Sequence, residues 1–295
     1  LIHPAEATWN WTNADALADY ARSHGIKMTG HTLLWHRQTA AWMFQGLTPG
    51  DSASIETLKS RLKAHIEGMV ERYGDVVDNW DVVNEATNYD TTKTYRTDSD
   101  WYKYFGSEEY IYWAFKYTKD ALEAQAPGSS VGKLYYNDYN LTLKSNSVMT
   151  MVDWLKTQGI TIDGIGEQAH WRIDWPSATD VQTLIDKVVG AGLKFKISEV
   201  DLTLYNDYPP PDYQQVLAPE VPFTQELETQ QANAYAQLFS VLRANAANIT
   251  SVTFWGISDD HTWLDMTSPV VRNDYPLLWD DAHQPKDALA AIMNF

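Results

Sequence analysis

Two apolar runs each deliver a glutamate. Residues 80–85 read WDVVNE and end in Asn84 and Glu85, while residues 195–202 read FKISEVDL and carry Glu199. Each run has the pattern of a buried β-strand that presents a carboxylate at or near its C-terminal end. Two carboxyl groups offered in this way are what cleavage of a glycosidic bond requires. One protonates the leaving oxygen and the other attacks the sugar or activates water. A lone glutamate at a strand end is more often a solvated terminus. The pair gains weight from the polar residues that accompany it.

The elements that must position these groups alternate between strand and helix. Helices are predicted over residues 12–24, 55–73, 108–125, 145–158, 179–189, 225–245 and 284–293, most of them stopped by a glycine or a Pro-Gly pair. Strands are predicted over 27–36, 79–85, 131–137, 162–170, 194–202 and 249–257. Near-continuous apolar strands separated by helices imply a parallel sheet covered on both faces, an α/β fold. Residues 88–104 and the Pro-rich residues 205–222 read as long loops after the Glu85 and Glu199 strands. Such loops at strand C-termini are where a (β/α)8 TIM barrel builds its active site. A doubly wound open sheet would normally bring a Gly-rich phosphate loop, and none is present.

Composition excludes several classes of partner. Thirty-nine acidic against 22 basic residues give a net charge of -17, which argues against nucleic acid and anionic membranes. Without cysteine there is no disulfide and no thiolate metal site. The 8 histidines show neither HExxH nor a paired spacing, so no metal site is expected. Thirteen Trp and 17 Tyr are many for a core alone, and their rings suit the C–H faces of sugars. No secretory leader is recognisable, although the abrupt start is compatible with removal of one.

The strand ends carry a further pattern. GHTLLWH (30–36), WDVVNEA (80–86), YYNDYN (135–140), GIGEQAH (164–170), ISEVDL (197–202) and TFWGISDDHTW (253–263) occur in this order along the chain. Together they resemble glycoside hydrolase family 10, the retaining endo-β-1,4-xylanases built on a (β/α)8 barrel. The likeness runs from Ile2-His3-Pro4 to the last helix, which implies that residues 1–295 are a family 10 catalytic domain. The departure lies at the start. Family members open with a strand, a helix and a second strand ending in a motif like ENEMKW, and Ile2-His3-Pro4-Ala5-Glu6 resembles the segment directly after that motif. Six strands are counted where a barrel needs eight. The domain is therefore expected to be partial at its N-terminus, lacking a first β-α-β unit of roughly 30 residues. Two explanations are open: an upstream segment of the native protein completes the barrel, or the chain is truncated there.

The resemblance implies roles residue by residue. Glu85 is the acid/base, with Asn84 bonding the 2-hydroxyl of the sugar being cleaved. Glu199 is the nucleophile, His170 hydrogen-bonds it, and Asp201 supports His170. Glu199 and Asp201 share a face of their strand, as do Gln168 and His170, because side chains repeat every two residues. His36 and Gln38 contact the sugar at the cleaved bond, Trp255 and Trp263 wall that subsite, and Tyr139 with Asn137 lies on the aglycone side. The expected activity is retaining endo-β-1,4-xylanase, acting on xylan or xylo-oligosaccharides without a cofactor, in a secreted or periplasmic setting. The alternatives are a β-1,4-glucanase of the same family, a non-catalytic carbohydrate-binding protein, or a fragment inert until its upstream segment joins it.

Overall fold

Leu58, Leu62, Ile66 and Val70 recur every fourth residue, so a helix over this segment gathers them on one face. In the computed structural model that face is fully buried. The structure describes residues 1–89, 92–125, 132–205, 220–266 and 272–293. The chain divides into two compact units, one of residues 1–138 with 146–165, the other of residues 139–145 with 166–295.

The first unit is organised on three parallel strands, β1 (Met28–Trp35), β2 (Val77–Asn84) and β3 (Lys133–Asp138), with β2 in the middle. Helix α1 (Thr12–His24) stops at Gly25, which takes the left-handed conformation at φ 64° that glycine adopts without penalty. Helix α2 (Ser52–Tyr73) starts at Asp51, whose side chain accepts from the Ser54 amide. Its apolar face meets α4 (Glu109–Gln125), which buries Ile111, Ala114 and Phe115. Each such fully buried aliphatic or aromatic side chain contributes about 1.5–3 kcal/mol. A short helix that the sequence does not predict, α3 (Asp100–Phe105), lies within the expected loop over 88–104. Its six residues are too few to show a helical period, and the Ser99 cap and the Gly106 stop are the signals that could have marked it.

The second unit centres on β6 (Lys194–Thr203), flanked in parallel by β5 (His170–Arg172) and β7 (Ile249–Phe254). Helices α6 (Ala178–Gly190), α7 (Gln225–Ala244) and α8 (Asp287–Met293) cover it. A reciprocal capping box between Ser177 and Asp180 opens α6. Helix α5 (Leu141–Thr157) and strand β4 (Gly164–Glu167) contain points where the chain passes from one unit to the other. The strand expected over 162–170 is thus two pieces, β4 and β5. The break falls at Ala169, held at φ 62° with its amide bonded to Glu167 Oε1 at 2.9 Å.

All six predicted strands are found, as seven because of that break. Nearly every residue of β2 and β6 is buried, as the apolar runs required. Before α1, the pairing among the described residues is an isolated bridge between Ala5 and Thr8. Of the Pro-rich loop predicted after Glu199, residues 206–219 lie outside the described residues, as do residues 127–128 of the turn after α4.

Gly30 on β1 pairs with Trp80 on β2, and a Cβ at Gly30 would sit 2.2 Å from the Trp80 ring. Trp80 is buried and has no room to retreat. Gly30→Ala is therefore expected to destabilise the fold by about 1–3 kcal/mol in denaturant melts. An unchanged midpoint would show that the ring does not pack against this strand.

Candidate active site

In the first unit the chain leaves β2 through Glu85, a non-glycine residue at φ 57°. That conformation costs about 1–3 kcal/mol and persists only when the surroundings enforce it. The enforcing bonds are visible. The Glu85 amide donates to the Asn137 carbonyl at 2.9 Å, and Arg96 Nε donates to the Glu85 carbonyl at 2.9 Å. The next two amides, of Ala86 and Thr87, donate to the Tyr136 hydroxyl at 2.9 and 3.0 Å. Tyr136 in turn donates to Asp138 Oδ2 at 2.6 Å, and the Thr87 hydroxyl donates to the same oxygen at 2.6 Å. This buried clamp holds the turn that aims Glu85.

Asn84 Nδ2 donates to Glu85 Oε1 at 3.3 Å, while Asn84 Oδ1 accepts from Asn137 Nδ2 at 3.0 Å. Three residues expected at the site, Asn84, Glu85 and Asn137, are thereby linked side chain to side chain. His36 joins them at a distance: its Nδ1 lies 3.8 Å from Glu85 Oε2, too far for a hydrogen bond. Burial lowers the His36 pKa to about 3, helped by Arg96 and Arg37, so the imidazole is neutral and the contact is no ion pair. Gln38 sits on the bend after β1, exposed and at φ 53°. The structure leaves it outside this hydrogen-bonded group.

In the second unit a linear chain of polar groups is buried between β5 and β6. His170 Nε2 lies 3.2 Å from Glu199 Oε2, and His170 Nδ1 lies 2.9 Å from Asp201 Oδ2. The register that pairs His170 with Asp201 across the two strands makes this possible. Burial alone would lower the His170 pKa, but the carboxylates of Asp201 and Glu199 outweigh it and raise it to about 10. The imidazole is then cationic at neutral pH and donates from both nitrogens. Gln168, also buried, contributes its carbonyl to the Glu199 amide at 3.0 Å.

Asp201 Oδ2 has a second donor. Trp263 Nε1 reaches it at 2.9 Å, and the Trp263 ring meets the His170 ring edge-on at 4.9 Å. Trp255 approaches His170 more loosely, at 6.3 Å, and is 38% exposed. The two indoles expected to wall a sugar subsite thus both lie near His170, Trp263 anchored to Asp201 and Trp255 more exposed. Tyr139 is half-buried, with Lys144 Nζ 3.6 Å above its ring. A buried Asp259–Lys286 pair at 2.8 Å, with Asp259 Oδ1 also accepting from the Leu277 amide at 2.8 Å, braces the segment that leads to Trp263.

Sequence reasoning missed the Tyr136–Asp138–Thr87 clamp, Arg96 and the Asp259–Lys286 brace. The clamp had a signal, since Tyr136 and Asp138 share a face of β3 two residues apart. Arg96 had none, because it comes from a loop.

Three comparisons with known proteins bear on this arrangement. The model of glycosyl hydrolase family 10 matches residues 1–295. Endo-1,4-β-xylanase B of Paenibacillus barcinonensis is 36% identical over 295 residues, covering 99% of this chain and 84% of that protein. Among solved structures, xylanase B from Clostridium stercorarium F9 superposes with a TM-score of 0.87 at 33% identity, covering 100% of this chain and 86% of that one. A mutant structure described as a complex with xylotriose gives a TM-score of 0.85 at 36% identity, with 100% and 85% coverage. The α/β class read from the sequence, that of a (β/α)8 TIM barrel, is the fold these proteins share with the chain.

The His170 contacts lead to a titration experiment. Its folded pKa of about 10 lies above the ordinary 6.5, so the pairing stabilises the fold fully below about 6.5 and loses its effect as pH rises through about 10. In nitrogen-detected NMR, His170 should stay doubly protonated through the neutral range. Asp201→Asn removes one carboxylate and should bring that titration down towards neutrality, with a smaller stability loss at alkaline pH. A wild-type His170 that titrates near its ordinary value would contradict the assignment.

Proposed function

The chain belongs to glycosyl hydrolase family 10, and from that premise we propose that it is an endo-1,4-β-xylanase cutting internal β-1,4-xylosidic bonds of xylan with retention. The observation that carries the reading is the buried Glu199–His170–Asp201 chain. A carboxylate that accepts from a cationic imidazole, itself oriented by a second carboxylate, is arranged as a positioned nucleophile.

In this reading Glu199 attacks the anomeric carbon while Glu85 protonates the departing glycosidic oxygen. The ester so formed between sugar and Glu199 is then hydrolysed. Glu85, now a carboxylate, takes a proton from the attacking water, and the second inversion restores the original configuration. Asn84 bonds the 2-hydroxyl, a contact that strengthens as positive charge develops on the ring. His36 is neutral and lies beside Glu85, which suits its imidazole to exchange hydrogen bonds with a sugar hydroxyl. Gln38 and Gln168 add polar contacts, Trp255 and Trp263 supply apolar faces to the sugar, and Asn137 and Tyr139 serve the aglycone side.

Residues 1–295 belong to a family 10 catalytic domain, and no step calls for a cofactor. Xylan is a polymer, so the enzyme would act outside the cytoplasm, as a secreted or periplasmic protein. No helix among the described residues is long and apolar enough to cross a membrane.

Two experiments test the reading. Initial rates on xylan should far exceed those on carboxymethylcellulose. The reverse order would make the protein a β-1,4-glucanase, and no hydrolysis of either would favour a binding protein or an inert fragment. Glu199→Ala should abolish hydrolysis of aryl xylobiosides, with azide restoring turnover and yielding the inverted glycosyl azide. Glu85→Ala should lose about 10²–10⁴-fold on xylan yet retain activity on substrates whose leaving group needs no proton. Identical behaviour of the two variants on an activated aryl glycoside would show that the roles are wrongly assigned.

A further inference from the structure

Apart from the groups described above, three metal-ligating side chains meet on the surface of the second unit. Ligand atoms of Asp260, His261 and His283 lie within 4.8 Å of one another. Asp260 Oδ2 is 2.9 Å from His261 Nδ1 and 3.3 Å from His283 Nε2. The 3.3 Å pair already has the spacing of donors on one ion, and the 2.9 Å pair is a direct hydrogen bond that would open slightly as an ion takes its place. Nitrogen and oxygen ligands about 2.0–2.2 Å from a tetrahedral zinc stand roughly 3.3–3.6 Å apart.

The backbone and its neighbours build this cluster. Ser258, which is buried, donates through its hydroxyl to Asp260 Oδ1 at 2.6 Å, orienting the carboxylate with Oδ2 towards the histidines. Asp260 and His261 belong to a 3₁₀ turn (Asp259–His261), and His283 belongs to the turn closed by the bridge between Trp279 and Pro285. The two turns are tied by a hydrogen bond from the Asp259 amide to the Trp279 carbonyl at 3.0 Å. His283 occupies the left-handed region at φ 58°, where a non-glycine residue is uncommon. Asp280 Oδ1 holds it there by accepting the amides on either side, of Ala282 at 2.9 Å and Gln284 at 2.7 Å. The strained residue is thus the one whose imidazole reaches Asp260.

We propose that Asp260, His261 and His283 bind a divalent transition-metal ion, with zinc the best match. Two imidazoles and a carboxylate suit zinc, copper or nickel, whereas magnesium and calcium favour oxygen donors throughout. All three side chains are exposed, which leaves the remaining coordination positions to water. The Ser258 hydroxyl takes the place of the outer hydrogen bond that ligating carboxylates usually carry. A net charge of -17 draws cations to the surface. The bound ion would staple the 3₁₀ turn that precedes Trp263 to the 279–285 turn.

Calorimetric titration of the chelator-treated full chain with zinc chloride tests the site, and needs no assay of activity. A single equivalent should bind with a micromolar or tighter dissociation constant and raise the melting midpoint. His261→Ala and His283→Ala, both on the surface, should each abolish that event, and Ser258→Ala should weaken it by roughly tenfold. His24→Ala, on α1 in the first unit, should leave it unchanged, and circular dichroism should show every variant folded. Absence of zinc binding to the wild type, or binding that survives in both His261→Ala and His283→Ala, would overturn the proposal. So would equal binding of magnesium, which would point to the acidic surface alone.

Discussion

A single carboxylate oxygen, Asp201 Oδ2, accepts from both His170 Nδ1 and Trp263 Nε1, and the polar architecture of the second unit depends on it. It orients the imidazole that bonds Glu199 and the indole that packs against that imidazole. Its own place is set by the pleat of β6, which puts Glu199 and Asp201 on one side. Burying two carboxylates and an imidazolium is expensive, and apolar residues of the same volume would serve stability at least as well. A cluster of this kind is better understood as machinery than as a structural tie, which is why its geometry carries the functional reading.

The first unit solves a different problem. A strand ends naturally in extended backbone, yet Glu85 is turned into the left-handed region immediately after β2. The strain is offset by bonds from both neighbouring elements: Asn137 and Tyr136 from β3, and Arg96 from the following loop. The loop therefore does more than connect. Its short helix α3 anchors it by burying Trp101, whose indole donates to the Trp35 carbonyl at 3.0 Å at the end of β1. Removing any of these supports would leave the carboxyl present but poorly aimed, which would matter for the acid/base role proposed for it, because rate falls steeply when such a group is misplaced.

The two histidines near glutamates contrast instructively. His36 and His170 each lie within 4 Å of a glutamate carboxylate. His36 has Arg96 and Arg37 near it and is driven neutral, whereas His170 has two carboxylates and is held cationic. Burial works against the charged form in both cases; at His36 it prevails, with Arg96 and Arg37 adding to it, and at His170 the two carboxylates outweigh it. A neutral imidazole suits exchange of hydrogen bonds with sugar hydroxyls, and a cationic one suits the support of an anion.

The fold class was legible in the residues because it depends on short periodicities, and the candidate site because ordered motifs at the strand ends resemble those of a known family. Apolar runs marked the six predicted strands, and the two-residue repeat placed Glu199 with Asp201; the repeat fails for Gln168 and His170, because the strand breaks between them at Ala169. The glutamates at the ends of apolar runs suggested the chemistry proposed above, and the ordered motifs around them pointed to the family. What the sequence could not convey were contacts between segments far apart in the chain. The neutrality of His36 comes from its burial in the folded chain, reinforced by Arg96 from sixty residues away, and the anchoring of Trp263 depends on Asp201, sixty-two residues upstream. The break at Ala169 and the left-handed Glu85 arise from hydrogen bonds that exist only once neighbouring strands are in register. The meeting of His261 with His283 likewise depends on two turns being tied together, so no spacing rule could find it. Local periodicity is written residue by residue, whereas burial, charge and long-range hydrogen bonds come into being only with the tertiary structure.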